Sequence, residues 1–314
     1  PIAACENMKI LLAGASGQLG QELAPLLHEL GEVVAVDRQA PPGGSASIQQ
    51  DLGDLNRVEI LLNRTRPDLV VNAAAYTAVD QAEDDTTAAF RINAELPGCL
   101  ARWVERNDRQ LMHYSTDYVF DGAADRPYQE QDPTGPLGVY GESKLAGEWA
   151  IGASNCRHVI LRTSWVYSSH GNNFVLTMLR LARERPSLSI VSDQRGCPTW
   201  ARNLARVTRA VLGQLDSDTA MPRGGQSGVY HYCDADEVTW YDFASTIFTI
   251  ALQAGLLERL PRMTAVPTTD FPQKAERPRY SVLDTSSIRA TFGIEPAGLQ
   301  ESLKQCIREI RPND

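Results

Sequence analysis

Short apolar runs alternate with segments of helical periodicity along the first half of the chain. Each apolar run is nearly continuous, which is typical of a strand that is covered on both faces. Strands that alternate with helices predict parallel strands joined by helical crossovers. We therefore expect an α/β fold with a doubly wound parallel sheet. The predicted strands are Lys9–Ala13, Val33–Asp37, Asp68–Ala74, Gln110–Ser115 and His158–Thr163.

Apolar residues at intervals of three and four predict the helices. Leucines recur in this way from Leu19 to Leu30, and Gly31 ends the segment. Pro25 lies inside it and is expected to kink the helix. After Tyr167 the alternation loosens and turn-rich pieces appear, which predicts a smaller C-terminal lobe packed across the carboxyl edge of the sheet. The further predicted helices lie at about 82–106, 141–152, 172–185, 200–214, 240–255 and 298–310.

Composition and charge narrow the classes of partner. The formal charge of −9 argues against nucleic acid, because binding to a phosphate backbone draws on clustered Lys and Arg. The sequence has no apolar run of about eighteen residues and no basic region leading to a cleavage site, so neither membrane insertion nor secretion is expected. Six cysteines without a CxxC pair support neither a zinc site nor a disulfide framework. They fit core positions in a reducing cytoplasm.

The segment AGASGQLG, from Ala13 to Gly20, links the first predicted strand to the first helix. Gly14, Gly17 and Gly20 have the spacing that allows a tight turn, close approach of a pyrophosphate and tight helix packing. The helix N-terminus adds amide donors and a favourable dipole. The loop therefore predicts a dinucleotide-binding domain of the Rossmann type. Its other predicted cofactor contacts are Ser16, Gln18 and Leu19.

These patterns divide the chain into two parts. Residues 8–167 are expected to form the dinucleotide-binding domain, to which segments at about 198–233 return. Residues 168–197 and 234–310 are expected to form a substrate-binding lobe. Because MKILL from Met8 begins a strand abruptly, residues 1–7 are interpreted as a leader or an expression remnant.

Later strand ends complete the predicted cofactor site. Asp37 ends the second strand, where a carboxylate meets the adenosine ribose of NAD. The adjacent Arg38 can instead pair with the 2′-phosphate of NADP, so NADH and NADPH both stay open. The remaining predicted contacts are Asp51 and Leu52 beside the adenine, and Ala73, Ala74 and Ala75, whose small side chains serve either close cofactor approach or core packing.

Tyr140 and Lys144 are four residues apart and therefore share one face of a helix. A free phenol has a pKa of about 10, and a nearby ammonium is expected to lower the pKa of Tyr140 so that it exchanges protons readily. Thr116, just beyond the fourth predicted strand, can hold a carbonyl oxygen beside the phenol. Lys144 can also bind the nicotinamide ribose. The combination suits hydride transfer to or from a carbinol carbon.

The same residues carry a resemblance to a known family. The glycine loop, NAA at 72–74, the strand end at 115–116 and the Tyr140/Lys144 pair resemble the extended short-chain dehydrogenases/reductases. Within that superfamily the sequence is similar to the dTDP-4-dehydrorhamnose reductases from about Met8 to Phe292. The segments that carry the similarity are GQLG at 17–20, NAAAYTAVD at 72–80, STDYVFDG at 115–122, RTSWVY at 162–167 and DQRGCPT at 193–199.

The resemblance implies NAD(P)H-dependent reduction of the 4-keto group of dTDP-4-dehydro-β-L-rhamnose to dTDP-β-L-rhamnose. By that resemblance Tyr140 donates the proton, Thr116 holds the oxygen and Lys144 tunes the phenol. Some relatives hold Mg²⁺ through glutamates at a dimer interface. That set cannot be placed in this sequence, which leaves Mg²⁺ and a homodimer open. The implied substrate contacts are Thr77, Val79, Thr116, Asp117 and Trp165.

Candidates in the second lobe have two readings. The indole of Trp165 follows a strand end, where it either stacks on a sugar or base or packs within the lobe. Three arginines in turn-rich segments are either surface charges or groups that grip a nucleotide diphosphate through bidentate contacts. These are Arg195, Arg277 and Arg279.

Two histidines and one acidic run are assigned structural roles. His113 and His231 lie in strand-like apolar runs and are interpreted as core residues with satisfied hydrogen bonds. The acidic run at 83–85 is interpreted as the first turn of a helix, where carboxylates favour the dipole.

Proteins with other functions share this fold, and individual residues distinguish some of them from a reductase. The dehydratases that resemble this fold carry an Asp-Glu pair after the Thr, which drives the elimination of water. In this sequence Asp117 is followed by Tyr118 instead, which argues against dehydration. A 4-epimerase or another nucleotide-sugar 4-ketoreductase would keep the Tyr140/Lys144 pair. A regulatory subunit that only binds the dinucleotide would be expected to lose that pair or the glycine loop, and both are intact.

Overall fold

The computed structural model of the chain describes residues 8–39, 47–214 and 227–310. The segment at 1–7, with Cys5, lies outside the described residues. The strands are β1 (Lys9–Ala13), β2 (Glu32–Asp37), β3 (Ser47–Gln49), β4 (Leu69–Asn72), β5 (Gln110–Thr116), β6 (Arg157–Thr163), β7 (Val166–Tyr167), β8 (Ser187–Val191), β9 (Arg195–Gly196), β10 (Thr199–Trp200), β11 (Gly228–His231), β12 (Val238–Thr239) and β13 (Arg262–Val266).

The α-helices of the same residues alternate with these strands and end the chain. They are α1 (Gln18–His28), α2 (Leu55–Thr65), α3 (Val79–Ala82), α4 (Thr86–Phe90), α5 (Leu96–Arg106), α6 (Val139–Gly152), α7 (Phe174–Glu184), α8 (Ala201–Gln214), α9 (Trp240–Gln253), α10 (Ser286–Phe292) and α11 (Leu299–Glu309). A π-helical turn covers Arg91–Glu95, and short 3-10 turns cover Asp117–Val119 and Thr268–Asp270. None of the helices in the described part of the chain has both the length and the apolar character needed to cross a bilayer.

Seven strands form one sheet in the order β11-β6-β5-β4-β1-β2-β3. Every neighbouring pair in it is parallel, so the predicted doubly wound sheet is confirmed. The chain moves outward from β1 to β3 and then returns to β4 on the other side of β1. Ligands of such sheets bind at this reversal, in the crevice beyond the carboxyl ends of the strands. The predicted glycine loop follows β1, and the three alanines follow β4.

Both faces of the sheet are buried, as the continuous apolar runs predict. Ile10 and Leu12 of β1 point into one core, which α1, α8 and α10 cover. Leu11 and Ala13 point into the opposite core, which α2 and α5 cover. The alternation follows from the two-residue period of a strand. Burying both sides fixes the carboxyl ends of the strands, and hence the loops that follow them.

The predicted helix at 82–106 is interrupted. It ends as α4 at Phe90 and resumes as α5 at Leu96 after the π-helical turn. Within that turn Asn93 is fully buried, and its side chain binds the backbone N–H and carbonyl of Tyr76 and the hydroxyl of Ser143. A π turn displaces the register of a helix. Here it holds a polar side chain between the loop after β4 and α6. In contrast, α1 continues through Pro25 to His28.

A second apolar cluster forms the C-terminal lobe. It is built from α7, α9 and α11 with β8, and Phe243, Ile247 and Leu303 are fully buried in it. Part of the segment at 234–310 lies elsewhere, since Ile288 and Phe292 of α10 pack into the core of the first domain. The predicted boundary is wrong at this helix, because the apolar face of α10 is buried against α8 and β11.

Candidate functional site

The glycine loop packs directly on the end of β4. Gly14 has a φ of 80°, and a Cβ there would lie 2.5 Å from the backbone nitrogen of Ala74. A Cβ at Gly20 would collide with the carbonyl oxygen of Gly14. The loop is therefore closed too tightly for any side chain at these positions. Because α1 begins at once, the amides of its first turn have no partner within the helix and are available to an anion.

Asp37 organises the glycine loop from the end of β2. One carboxylate oxygen accepts a hydrogen bond from the backbone of Ser16 at 3.0 Å, and the other accepts from the backbone of Arg38 at 2.6 Å. A carboxylate has further acceptor positions, so Asp37 can still bind a ribose hydroxyl. The Arg38 side chain is exposed at the same edge. The donors and acceptors at this edge therefore suit a dinucleotide.

The other predicted cofactor residues differ in their contacts and in their exposure to solvent. Gln18 accepts a hydrogen bond from the Asn173 side chain of the second lobe at 3.3 Å. Leu19 packs against the first core, and Leu52 is buried in the opposite one. Asp51 is exposed and caps the following turn through the backbone of Gly53. Of the alanines, Ala73 and Ala74 are half-buried and Ala75 is exposed.

Three predicted catalytic residues meet where β5 and α6 adjoin. Thr116 ends β5, and its hydroxyl donates to Asp117 Oδ1 at 3.0 Å and accepts from the backbone of Tyr118 at 3.2 Å. The same hydroxyl lies close enough to the Tyr140 phenol to lower its pKa. Lys144, one turn further along α6, donates from Nζ to the carbonyl oxygen of Tyr114 in β5 at 2.6 Å. The four-residue spacing therefore turns both side chains toward one strand.

The expected lowering of the Tyr140 pKa is wrong. Burial raises the pKa of Tyr140 to about 12, although the Thr116 hydroxyl opposes the shift by favouring the phenolate. Burial also lowers the pKa of Lys144 to about 8, opposed by the charge of Glu148. Desolvation outweighs the charge of the amine, since Lys144 is only 3% exposed and is directed to a backbone carbonyl. The phenol thus keeps its proton at neutral pH and is an acid.

Lys144→Met should remove a pH dependence of stability. In the wild type the folded amine loses its proton near pH 8, whereas in the unfolded chain it does so near 10.5. Between these values the unfolded state binds more protons, so the free energy of unfolding rises with pH. We expect the rise to reach about 3 kcal/mol and to be absent from the Met variant. Urea unfolding of both proteins from pH 7 to 10 measures it, and parallel pH profiles would contradict it.

Asp117 is a buried carboxyl beside the phenol. It is 2% exposed, and burial raises its pKa to about 7 against the hydrogen bonds that favour ionisation. The Ser281 and Thr116 side chains favour its ionisation, while Oδ2 makes no hydrogen bond of normal geometry among the described residues. Tyr118 follows it and packs edge-on against the ring of Tyr140, with 5.7 Å between centroids. A carboxyl group in this state can offer a polar oxygen to a sugar hydroxyl.

The position of α6 depends on two buried polar contacts that sequence reasoning missed. Glu148 on α6 forms a two-bond ion pair with Arg162 of β6, at 2.9 and 2.7 Å. Asn93 reaches Ser143 from the π-helical turn. The ion pair could have been expected from Arg162 itself, because it lies within the apolar run VILRT and a charge in a buried strand requires a partner.

Trp165 packs within the second lobe. Its ring stacks on Trp240 with 3.4 Å between centroids. A Cβ at Gly196 would lie 2.5 Å from the same indole, and because Trp240 fills one face, Gly196 must cover the other. Trp165 also has a φ of 47°, a strained conformation that persists only when its surroundings hold it. Only the ring edge is left for a ligand, so a face-to-face stack on the substrate is not available.

The remaining substrate candidates are Val79 and Thr77. Val79 lines a small pocket together with Tyr118, Gly138 and Tyr140. Thr77 is exposed in the loop that precedes α3. The structure thus places Val79 and Tyr140 at one pocket, and Thr77 does not line it.

The three arginines occupy different surroundings. Arg277 binds Asp80 at 2.7 Å and Gln273 at 2.9 Å, so it fastens the segment at 273–279 to α3. Arg195 pairs with Glu237 at 2.6 Å. Arg195 and Arg279 line an open cleft of about 500 Å³. Arg195 and Arg279 stay candidates for a diphosphate because they line this cleft, although Arg195 is also paired with Glu237. Arg277 is paired with Asp80 and does not line it.

The structural roles predicted for the two histidines and for the acidic run are only partly confirmed. His231 is fully buried and lies 3.0 Å from the carbonyl oxygen of Tyr128. His113 lies 3.1 Å from Asn72, but its Nε2 has no partner among the described residues. The acidic run 83–85 does not form one helical turn, because Asp85 caps α4 while Glu83 faces α6.

The cysteines and the potential metal ligands are described for the same ranges of the chain. The cysteines at 99, 156, 197, 233 and 306 are buried and free. No group of three His, Cys, Asp or Glu side chains is placed to hold a metal ion in residues 8–39, 47–214 and 227–310.

Known proteins resemble this chain in sequence and in fold. The family profile described as the RmlD substrate binding domain matches residues 8–311. A dTDP-4-dehydrorhamnose reductase of Burkholderia thailandensis is 41% identical over 305 residues, which are 96% of this chain and 99% of the relative. The solved structure of such a reductase from Clostridium acetobutylicum is 36% identical, with a TM-score of 0.83 over 96% of this chain and 98% of that one. The one from Bacillus anthracis, solved in complex with NADP, is 31% identical, with a TM-score of 0.84 over 96% and 99%.

Proposed function

Since the chain belongs to the RmlD family of dTDP-4-dehydrorhamnose reductases, we propose that it reduces the 4-keto group of dTDP-4-dehydro-β-L-rhamnose to dTDP-β-L-rhamnose with NADPH or NADH. The observation that carries the proposal is the placement of Thr116, Asp117 and Tyr140 at the end of β5, where the Thr116 hydroxyl donates to Asp117 and also lowers the pKa of the Tyr140 phenol. These residues lie two strands from the reversal of the sheet, where the glycine loop offers its amides.

The proposed reaction needs one hydride and one proton. Reduced nicotinamide supplies the hydride when it is bound. Tyr140 holds the proton at neutral pH, since the pKa of its phenol, which burial raises to about 12, lies well above 7. As the carbonyl oxygen gains negative charge it becomes the stronger base and takes this proton. The Thr116 hydroxyl has one proton to donate, and by turning it from Asp117 Oδ1 toward this position it stabilises the developing oxyanion.

The other predicted residues take roles within this proposal. Ser16 and the glycines bring the helix amides to the pyrophosphate, while Asp37 and Arg38 hold the adenosine ribose. On the substrate side, Val79 and Asp117 contact the sugar, and Trp165 contributes through its ring edge because its faces are covered. The second lobe, with Arg195 and Arg279, receives the nucleotide diphosphate. A cytoplasmic location and a homodimer stay expectations from the sequence.

The purified protein should oxidise one equivalent of reduced nicotinamide per dTDP-4-dehydro-β-L-rhamnose. Loss of nicotinamide absorbance, measured separately with NADPH and NADH, tests this and ranks the cofactors. A matched reaction with a UDP-linked 4-keto sugar tests the base.

Two other results would assign a different function. Tightly held NAD that returns its hydride, without net consumption, would indicate an epimerase. Cofactor binding without turnover of any nucleotide sugar would indicate a regulatory subunit.

A further inference from the structure

A residue from another element closes the N-terminus of α6. The helix begins after Gly138, which has no side chain to cap it. Its first amide, on Val139, instead donates to Oε1 of Glu83 at 2.9 Å, from 56 positions earlier in the chain. The contact satisfies one of the amides that a helix leaves unpaired at its start. It also places a carboxylate at the positive end of the helix dipole.

Glu83 and Gly138 fit each other sterically. Gly138 has an extended backbone, with φ −159° and ψ 172°, which any residue can adopt. A Cβ on Gly138 would nevertheless lie 2.7 Å from Glu83 Oε1. The missing side chain therefore gives the carboxylate its space, and the carboxylate supplies the cap that glycine lacks.

The capped turn is the one that carries Tyr140. The other anchors of α6 lie further along the helix, at Ser143, Lys144 and Glu148. Helix ends fray more readily than helix interiors. The contact at Val139 therefore helps to hold the turn that carries the phenol, together with the Ser143 hydroxyl, which donates to the Tyr140 carbonyl oxygen at 2.9 Å. Glu83 also lines the same small pocket as Tyr140.

We propose that Glu83 is a positioning residue, which fixes the first turn of α6 and thereby sets the Tyr140 phenol against the Thr116 hydroxyl. The inference rests on the proposed reductase function for its activity readout. Its carboxylate acts through the backbone of α6 and takes no part in the proton transfer.

Glu83→Ala, Glu83→Gln and Glu142→Ala form a matched set. Glu142 is an exposed carboxylate in the same first turn, so its removal changes the dipole interaction without touching the cap. We expect Glu83→Ala to lower kcat roughly tenfold with little change in KM, because small displacements of a reacting group are costly. Glu83→Gln keeps an oxygen acceptor and should retain most of kcat, and Glu142→Ala should match the wild type.

Gly138→Ala provides an independent check of the fit. The added Cβ should displace the carboxylate and lower kcat as Glu83→Ala does. The double variant Glu83→Ala/Gly138→Ala should then be no worse than either single variant, since both remove the same contact. Independent, multiplying losses would overturn the proposal.

Amide hydrogen exchange over residues 139–141 separates this inference from the proposed function. Exchange should accelerate in Glu83→Ala and not in Glu142→Ala, whether or not the dTDP sugar is a substrate. Equal exchange in the two variants, or a Glu83→Ala enzyme with unchanged kcat, would overturn the role of Glu83. A raised KM with unchanged kcat would place Glu83 on the substrate instead. A wild type inactive on the sugar would overturn only the proposed function.

Discussion

Tyr140→Phe is expected to lower kcat by roughly 10²- to 10⁴-fold, the usual contribution of a positioned general acid. The variant loses only the phenolic oxygen, so the ring still packs edge-on against Tyr118. Because burial keeps the phenol protonated at neutral pH, the proton donor is lost without a compensating group. Steady-state rates with saturating cofactor and dTDP-4-dehydro-β-L-rhamnose measure the effect.

Tyr118→Phe is the matched control for this variant. It removes a phenolic oxygen from the neighbouring ring, and we expect the hydride-transfer rate to fall far less. Binding of NADPH, followed by fluorescence, should be nearly unchanged in Tyr140→Phe. If Tyr140→Phe retained more than about a tenth of wild-type kcat, another group would have to supply the proton.

Glu148→Ala is expected to lower the free energy of unfolding by about 3–5 kcal/mol, the cost of leaving a buried partner charge uncompensated. Glu148 and Arg162 have side chains only 4% and 6% exposed. The guanidinium also lies over the ring of Phe120 at 5.1 Å, in an environment that cannot hydrate it. Urea unfolding of wild type and variant measures the loss.

Two further variants show whether the cost comes from the unpaired charge. Glu142→Ala, on the exposed face of α6, should change stability by no more than about 0.5 kcal/mol. Glu148→Leu/Arg162→Met should recover most of the lost stability, because apolar groups of similar volume can replace a buried pair. A double variant as unstable as Glu148→Ala would instead show that the packing of α6 on β6 requires the ion pair itself.

The sequence predicted those parts of the candidate site that depend on residues close together in the chain. The spacing of Tyr140 and Lys144 put both on one face of a helix, and α6 does direct them toward β5. The loop at 14–20 fixed a turn between strand and helix, because a Cβ at Gly14 or Gly20 does not fit. The direction of the Tyr140 pKa shift was not foreseen, since it depends on how much packing surrounds the ring.

By itself the sequence determined the parallel sheet and the glycine loop and predicted the reacting groups, because periodicity and short motifs act over a few residues. Only the tertiary structure decided that Glu83 caps α6, that Trp240 covers the face of Trp165, and that α10 returns to the first core. Each of these depends on a partner distant in the chain, and no local pattern records such a partner. The same holds for desolvation, which is set by everything packed around a group and not by its neighbours in sequence.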